Sequence, residues 1–216
     1  MRAVRLIPWL CAGLLVSVGC AAGAARQAPP RAAVEAVRQR FPERFLDPSS
    51  WAMGDLDGDG VPDLAAVLGD PMRNDGDRIL QVTVFRGRPG GGFGFVGVTQ
   101  DLPADGGVFE NVSIRGQALL LDRDGADGAH ARWHETFRFR LRDGRPRLVG
   151  LDVARGVDHG PRDDHGESVN LLTGDVVAWR IKGSHRTEQR HAGRPVLVDF
   201  DRFDYLRVMQ ALGPLR

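Results

Sequence analysis

Four aspartates lie within nine residues of this chain, at positions 55, 57, 59 and 63. Their like charges repel one another unless a cation lies between them. Hard divalent cations take about six to eight oxygen ligands, and Ca2+ accepts the irregular geometry of a short loop. We therefore predict a Ca2+ site formed by the side chains of Asp55, Asp57, Asp59 and Asp63 and by the backbone carbonyl of Val61. The alternative is an Asp/Gly-rich turn that binds no metal.

The position of the last acid distinguishes this loop from an EF-hand. An EF-hand loop requires a glutamate at its twelfth position. Counted from Asp55, that position is Ala66, so the sequence excludes an EF-hand. The last acid here is Asp63, and it precedes the apolar run Leu64–Leu68, which we predict to be a strand.

The segment Gly54–Leu64, with the sequence GDLDGDGVPDL, resembles the FG-GAP or VCBS repeat, the calcium loop of integrin-type β-propeller blades. The resemblance implies a loop that joins two strands around a structural metal. It covers about 35 residues, which is short beside a typical domain. A propeller needs at least about four blades, each with its own repeat. The chain contains one further, weaker match to the repeat, Asp122–Gly128, which we interpret as a hairpin turn. The calcium loop is therefore expected to stabilise a β domain smaller than a propeller.

The first 20 residues have the pattern of an export signal. A short basic start precedes an apolar stretch, Leu6–Val18, that is too short for a membrane-spanning helix. Ser17–Cys20 resembles a bacterial lipobox, in which Cys20 becomes the lipidated first residue and Ala21 implies sorting to the outer membrane. We predict a periplasm-facing outer membrane lipoprotein in the cell envelope. The alternative is cleavage after Ala24, which would give a soluble periplasmic protein.

Composition limits the remaining possibilities. Without residues 1–20, 27 basic side chains face 28 acidic ones, and this balance favours no nucleic-acid partner. The only cysteines are Cys11 and Cys20, so no disulfide is expected in the exported part. We predict a flexible tether over residues 21–31 and one β-rich domain over residues 32–216, long enough to bury a core.

The pattern of apolar residues predicts a mainly β fold with a helix near each end. A helix is predicted over Ala32–Phe45 and a second one starting near Asp201 or Phe203, which would pack Phe203, Leu206 and Met209. Strands are predicted from Trp51 onward, separated by Gly-rich turns, at residues 64–68, 79–85, 93–98, 118–121, 133–141, 148–153, 168–172 and 176–181. We expect an antiparallel meander, either sandwich-like or a partial propeller.

A run of arginines marks a second candidate site. The segment Phe137–Arg142 alternates apolar residues with arginines, so a strand there would expose its arginines on one face. If Asp143–Gly144 is a two-residue hairpin loop, Arg142 faces Arg145 and Arg140 faces Arg147, and each pair costs about 0.2–1 kcal/mol. The candidate anion-binding residues are Arg138, Arg140, Arg142, Arg145 and Arg147.

Two interpretations of these arginines remain open. Neighbouring acids such as Asp152, Asp163 and Glu167 would neutralise a solvated face. Alternatively, the arginines bind an anionic envelope glycan such as the phosphates of lipopolysaccharide, since arginine suits phosphate geometry.

Catalytic motifs are weak in this sequence, which contains no Gly-x-Ser-x-Gly, phosphate-loop or His-Glu-x-x-His pattern. His159, Asp163, Asp164, His165 and Glu167 are predicted to lie in a loop, where an acid/His site of an envelope hydrolase over residues 158–167 is the alternative function. Residues 136–174, ending in ESVNLLTG, resemble the C-terminal half of a group of exported Gram-negative proteins with no known activity.

We expect an exported, lipid-anchored, calcium-binding β domain with a structural or binding role in the cell envelope. Its expected partners are the membrane, through the lipid anchor, and an anionic envelope glycan or another envelope protein. An enzymatic role is less expected than a binding one.

Overall fold

A computed structural model describes residues 28–69, 80–102, 108–127, 131–157 and 163–213. The described residues form two α-helices, α1 (Arg31–Arg40) and α2 (Tyr205–Leu212), a 3-10 turn (Phe200–Arg202) and twelve strands. The strands are β1 (Phe45–Gly54), β2 (Asp63–Gly69), β3 (Leu80–Gly87), β4 (Phe93–Val98), β5 (Val108–Arg115), β6 (Ala118–Asp127), β7 (Ala131–Arg142), β8 (Arg145–Val157), β9 (Asp163–Asn170), β10 (Asp175–Lys182), β11 (His185–Ala192) and β12 (Val198–Asp199). The predicted export segment, Cys20 and most of the tether lie outside the described residues.

The strands form two antiparallel meanders. The smaller sheet has the order β1-β2-β3-β4, and the larger has the order β11-β10-β9-β8-β7-β6-β5, with β12 pairing β8. Each strand of the main paths therefore pairs with its neighbours in sequence, and neither sheet closes into a barrel within the described residues. The predicted mainly β fold with a helix near each end is confirmed.

The main core lies between the two sheets. Side chains of β2 and β3, such as Ala65 and Val82, belong to the same buried cluster as Leu121, Phe137 and Leu151 of the larger sheet. The rings of Phe137 and Phe139 are fully buried. Burial of this apolar area supplies most of the driving force for folding, at about 25 cal/mol per Å2.

A second core lies on the other side of the smaller sheet. Ala33 and Val37 of α1 pack there with Leu64, Ala66 and Leu68 of β2. All seven residues of β2 are buried, because α1 covers one face and the main core covers the other. The layers follow the order helix, small sheet, large sheet, and none of the described residues covers the outer face of the large sheet.

Helix α1 is shorter than predicted. The expected helix over Ala32–Phe45 ends at Arg40, and Phe45 already belongs to β1. The residue before a proline is disfavoured in helical conformation, so Phe41, which precedes Pro42, terminates the helix. Strands β5, β11 and most of β1 were not predicted.

The Asp122–Gly128 hairpin prediction is wrong. Residues 122–127 lie inside β6 and pair with β7, while Gly128 lies outside the described residues. The acids at 122 and 124 occupy alternate positions opposite Thr136 and His134, so the polar spacing reflects one exposed strand face.

The Asp143–Gly144 and Thr173–Asp175 turns are confirmed. Asp143 and Gly144 both have positive φ, 53° and 74°, as a two-residue hairpin loop requires. At the second turn the Asn170 side chain accepts the amides of Leu172 and Thr173. Both turns connect consecutive strands of the large sheet.

The C-terminal elements close the main core. Phe203 is fully buried and its ring lies 5.2 Å from the rings of both Phe137 and Phe139. Helix α2 starts at Tyr205, capped by Asp204, whose carboxylate accepts the amide of Arg207. Met209 packs against the core as predicted, but Leu206 is 55% exposed and its predicted burial is wrong.

Phe203 and Leu206 give a matched pair for testing this closure. We expect Phe203→Ala to lower the free energy of unfolding by about 3–5 kcal/mol, because it leaves a cavity between two buried rings. Leu206→Ala should change it by less than about 0.5 kcal/mol, because the side chain is exposed. Urea unfolding followed by circular dichroism measures both, and equal effects would contradict the assigned roles.

Candidate functional site

The four aspartates lie in the connection between β1 and β2. Gly54 at the end of β1 pairs with Asp63 at the start of β2, so the intervening residues form a closed loop at one end of the small sheet. Gly58 and Gly60 have φ of 84° and 83°, a region that glycine enters without strain. These two positions let the backbone of the loop turn back on itself.

Three of the four predicted acids converge. Carboxylate oxygens of Asp55, Asp57 and Asp63 all lie within 4.8 Å of one another. The donor set contains oxygen only, which suits Ca2+ or Mg2+ and disfavours metals that prefer sulfur or nitrogen. The residues present therefore fit a hard divalent cation.

Asp63 fixes the loop to the neighbouring strand. Its side chain is buried, and its two oxygens accept the amides of Leu56 at 2.8 Å and of Gly87, at the end of β3, at 2.9 Å. Only glycine fits at position 87, because a Cβ there would collide with the carbonyl oxygen of Pro62. Burial raises the pKa of Asp63, and the negative charges of Asp57 and Asp59 raise it further. The hydrogen bonds from the two amides act in the opposite direction but do not cancel the increase.

Asp55 is arranged to stay ionised. Its two oxygens accept the amides of Gly58 at 2.6 Å and of Gly60 at 3.0 Å. Desolvation acts to raise the pKa of Asp55, but the amide donors around it outweigh that effect and lower the pKa. The loop backbone thus orients this carboxylate before any ligand arrives.

Asp57 has a basic partner that the sequence analysis did not identify. Nε of Arg86, on β3, lies 2.7 Å from Oδ2 of Asp57. The arginine supplies part of the positive charge that three converging carboxylates require. Only the pairing of β2 with β3 brings residue 86 next to residue 57, so no local sequence signal could have found it.

Asp59 and Val61 interact with each other. Oδ1 of Asp59 accepts the amide of Val61 at 2.7 Å, in an exposed part of the loop. Asp59 is not in the converging trio, so its predicted role as a metal ligand and that of the Val61 carbonyl remain predictions.

The predicted arginine register is confirmed. Arg140 pairs with Arg147 and Arg142 with Arg145 across the β7–β8 hairpin. Asp152 lies 2.6 Å from Arg138, and Asp199, which was not predicted, lies 2.9 Å from Arg147. Within the described residues Arg140, Arg142 and Arg145 are exposed and make no ion pair.

The predicted loop over residues 158–167 is wrong in its second half. Asp163, Asp164, His165 and Glu167 lie in strand β9, and His159 lies outside the described residues. The carboxylate of Asp163 accepts hydrogen bonds from Nε and from a terminal nitrogen of Arg180, and this contact lowers the pKa of Asp163. Glu167 is buried and His165 is half-buried. The strand corrects the predicted loop, and the acid/His site over residues 158–167 stays a prediction.

A buried polar group also joins α2 to the large sheet. A guanidinium nitrogen of Arg123 donates to the hydroxyl of Tyr205 at 2.6 Å and lies 3.5 Å from Glu135. Arg123 and Glu135 are each only 4% exposed. Burial raises the pKa of Glu135, and the positive charge of Arg123 opposes the shift. Breaking such a buried pair leaves an uncompensated charge. The contacts of Arg123 with Tyr205 and Glu135 therefore hold α2 in one position against the large sheet.

No protein family, curated protein or solved structure that was compared with this chain matches it. Among the described helices, none combines the length and the apolar composition needed to cross a membrane.

The structural role of Asp63 can be tested without metal. In buffer with EDTA we expect Asp63→Ala to lower the free energy of unfolding by about 2–3 kcal/mol, because two buried amides lose their acceptor. Asp59→Ala removes one exposed hydrogen bond and should cost less than about 1 kcal/mol. Urea unfolding measures both values, and a larger effect at Asp59 would contradict the geometry described here.

Proposed function

We propose that this protein is a calcium-stabilised β domain of the cell envelope with a structural or binding role. The observation that carries the proposal is the convergence of Asp55, Asp57 and Asp63 at the junction of β1, β2 and the end of β3. Three acids held this closely favour a bound cation, since their mutual repulsion is otherwise offset only in part by Arg86.

Calcium is the cation that these residues fit best. Each oxygen of Asp63 accepts one amide and retains a second lone pair for a metal. The ligands come from an irregular loop, whereas Mg2+ requires near-ideal octahedral geometry. The resemblance of Gly54–Leu64 to the FG-GAP calcium loop supports the same choice.

The proposed role of the metal is to connect strands. Asp55 and Asp57 belong to the loop, while Asp63 begins β2 and is bonded to the end of β3 through Gly87. A cation held by all three carboxylates would join these segments and offset the cost of burying Asp63. Binding to the folded state alone stabilises it by mass action, by about 2.7 kcal/mol at a concentration one hundred times Kd.

Calcium should raise the melting temperature of the purified protein. We expect a rise of about 5–10 °C between EDTA and saturating Ca2+ for a domain of this size. Asp57→Asn and Asp55→Asn should remove the rise, because each deletes one converging charge. Glu43→Gln, an exposed acid outside the loop, is the control and should keep it. Differential scanning calorimetry measures the shift, and an unchanged melting temperature in the unmodified protein would contradict the metal role.

The proposed location rests on the N-terminal sequence. The apolar segment Leu6–Val18 followed by Cys20 supports export and lipid anchoring to the outer membrane, with a soluble periplasmic form as the alternative. The exposed arginines at 140, 142 and 145 support an anionic envelope glycan as partner, because they form no ion pair with the acids of the described residues. The ion pair between Asp163 and Arg180 favours this binding role over the hydrolase alternative, because it engages one of the acids that the alternative requires.

The two cysteines provide a matched test of the anchor. In a Gram-negative host, Cys20→Ser should move the protein from the membrane fraction to the soluble periplasmic fraction, because the lipidated residue is lost. Cys11→Ser changes a cysteine inside the apolar segment and should leave the protein in the membrane fraction. Fractionation with immunoblotting distinguishes them. A soluble distribution of the unmodified protein would contradict lipidation and favour cleavage after Ala24.

A further inference from the structure

The open face of the large sheet contains a groove of about 550 Å3. Its lining residues lie on five neighbouring strands, from Asp124 on β6 and His134 on β7, over Ala154 on β8 and Asp164 on β9, to Trp179 on β10. We call it the Trp179 groove. Its two ends are separated by four strand spacings, about 19 Å, which is longer than one sugar ring. The volume falls within the range of small-ligand sites.

Glycine lets the indole of Trp179 lie close to the sheet. A Cβ at Gly166 would collide with the carbonyl oxygen of Val153 and would lie 2.7 Å from Cζ2 of Trp179, so a larger residue fits neither the neighbouring strand nor the ring in this position. Glycine inside a strand weakens it and often marks the close approach of another group. The half-buried indole therefore forms a flat apolar surface at one end of the groove.

The outer surface of this indole accepts a flat partner. The guanidinium carbon of Arg186, on the adjacent strand β11, lies 5.2 Å from the ring centroid. Arg186 is itself exposed and paired with Glu188 at 2.9 Å. An exposed cation–π contact contributes only about 0.5–1 kcal/mol, so a ligand that stacks better can displace it.

The remainder of the groove is polar and has no excess of positive charge. At the opposite end Nδ1 of His134 lies 2.6 Å from Asp124. The carboxylate of Asp164 lies close over Gly156, because a Cβ there would come within 2.5 Å of it and within 3.7 Å of Nε of Arg132. Strand alternation places Arg132, His134 and the two aspartates on this face, so the groove offers both hydrogen-bond donors and acceptors.

This combination selects one class of ligand. A polyanion requires uncompensated positive charge, and an apolar ligand requires an enclosed apolar cavity, so neither suits an open polar groove with one arginine and two aspartates on its face. A pyranose sugar has an apolar face of C–H groups that stacks on an indole, and a rim of hydroxyls that both donate and accept hydrogen bonds. We propose that the Trp179 groove binds a neutral pyranose oligosaccharide.

The proposal is independent of the calcium loop. The loop lies at one end of the small sheet, whereas the groove lies on the outer face of the large one. The arginines at 138, 140 and 142 share that outer face through strand alternation, so an anionic polymer is the alternative to be distinguished.

Isothermal titration calorimetry of the purified protein tests the proposal with cellohexaose, maltohexaose, chitohexaose and, as the anionic probe, polygalacturonate. We expect at least one of the three neutral oligosaccharides to bind. Trp179→Ala should weaken that binding about tenfold or more, and Trp179→Phe, which keeps a flat ring, should weaken it less. Ala154→Gln should also weaken it, because it fills the floor without altering the indole.

Val177→Gln is the matched control, because residue 177 occupies the next outward position on β10 outside the groove. It should leave binding unchanged. Circular dichroism verifies that each variant is folded. If Trp179→Ala is unfolded, the effect of Ala154→Gln on binding decides the test. The proposal is overturned if no neutral oligosaccharide binds at millimolar concentration, or if binding survives both groove variants. Binding of polygalacturonate alone, lost with Arg140→Glu but not with Trp179→Ala, would also overturn it.

Discussion

The arrangement of this fold depends on one strand that is buried on both faces. β2 packs against α1 with alternate residues and against the main core with the others, so all seven of its residues are inaccessible. A strand in this position tolerates neither a shift in register nor a polar side chain without a partner. Its first residue is Asp63, and the strand therefore begins with a buried carboxylate whose hydrogen bonds must be complete.

The aspartate loop meets this requirement in two ways. The amides of Leu56 and Gly87 donate to the two oxygens of Asp63. Because Gly87 is the last residue of β3, these bonds connect the loop to β3. The remaining difficulty is electrostatic, because Asp57 and Asp59 lie near enough to raise the pKa of Asp63 further. Arg86 offsets part of this charge from the β3 side. A divalent cation would offset the remaining negative charge. A single loop of this kind would then stabilise the small sheet without the further repeats that a propeller contains.

Local patterns in the sequence predicted the parts of the structure that local chemistry determines. The hairpin at Asp143–Gly144 and the alternating arginines followed from turn chemistry and strand period. β11 was missed because all eight of its residues are exposed, so it has no apolar period. β1 was missed because Pro48 and two serines interrupt it, and its pairing is irregular between Leu46 and Trp51. Arg86 and the Trp179 groove depend on which strands become neighbours, and that information is not local.

The order of the layers also places the start of the described chain on one side of the domain. The chain enters α1 directly from residues 28–30, on the side of the small sheet that faces away from the large sheet. A lipid attached upstream of this point would act through the predicted flexible tether over residues 21–31, which extends to at most about 36 Å. Such a tether would limit the distance of the domain from the bilayer and leave its orientation free. The helix layer and the outer face of the large sheet would then both have access to the aqueous space.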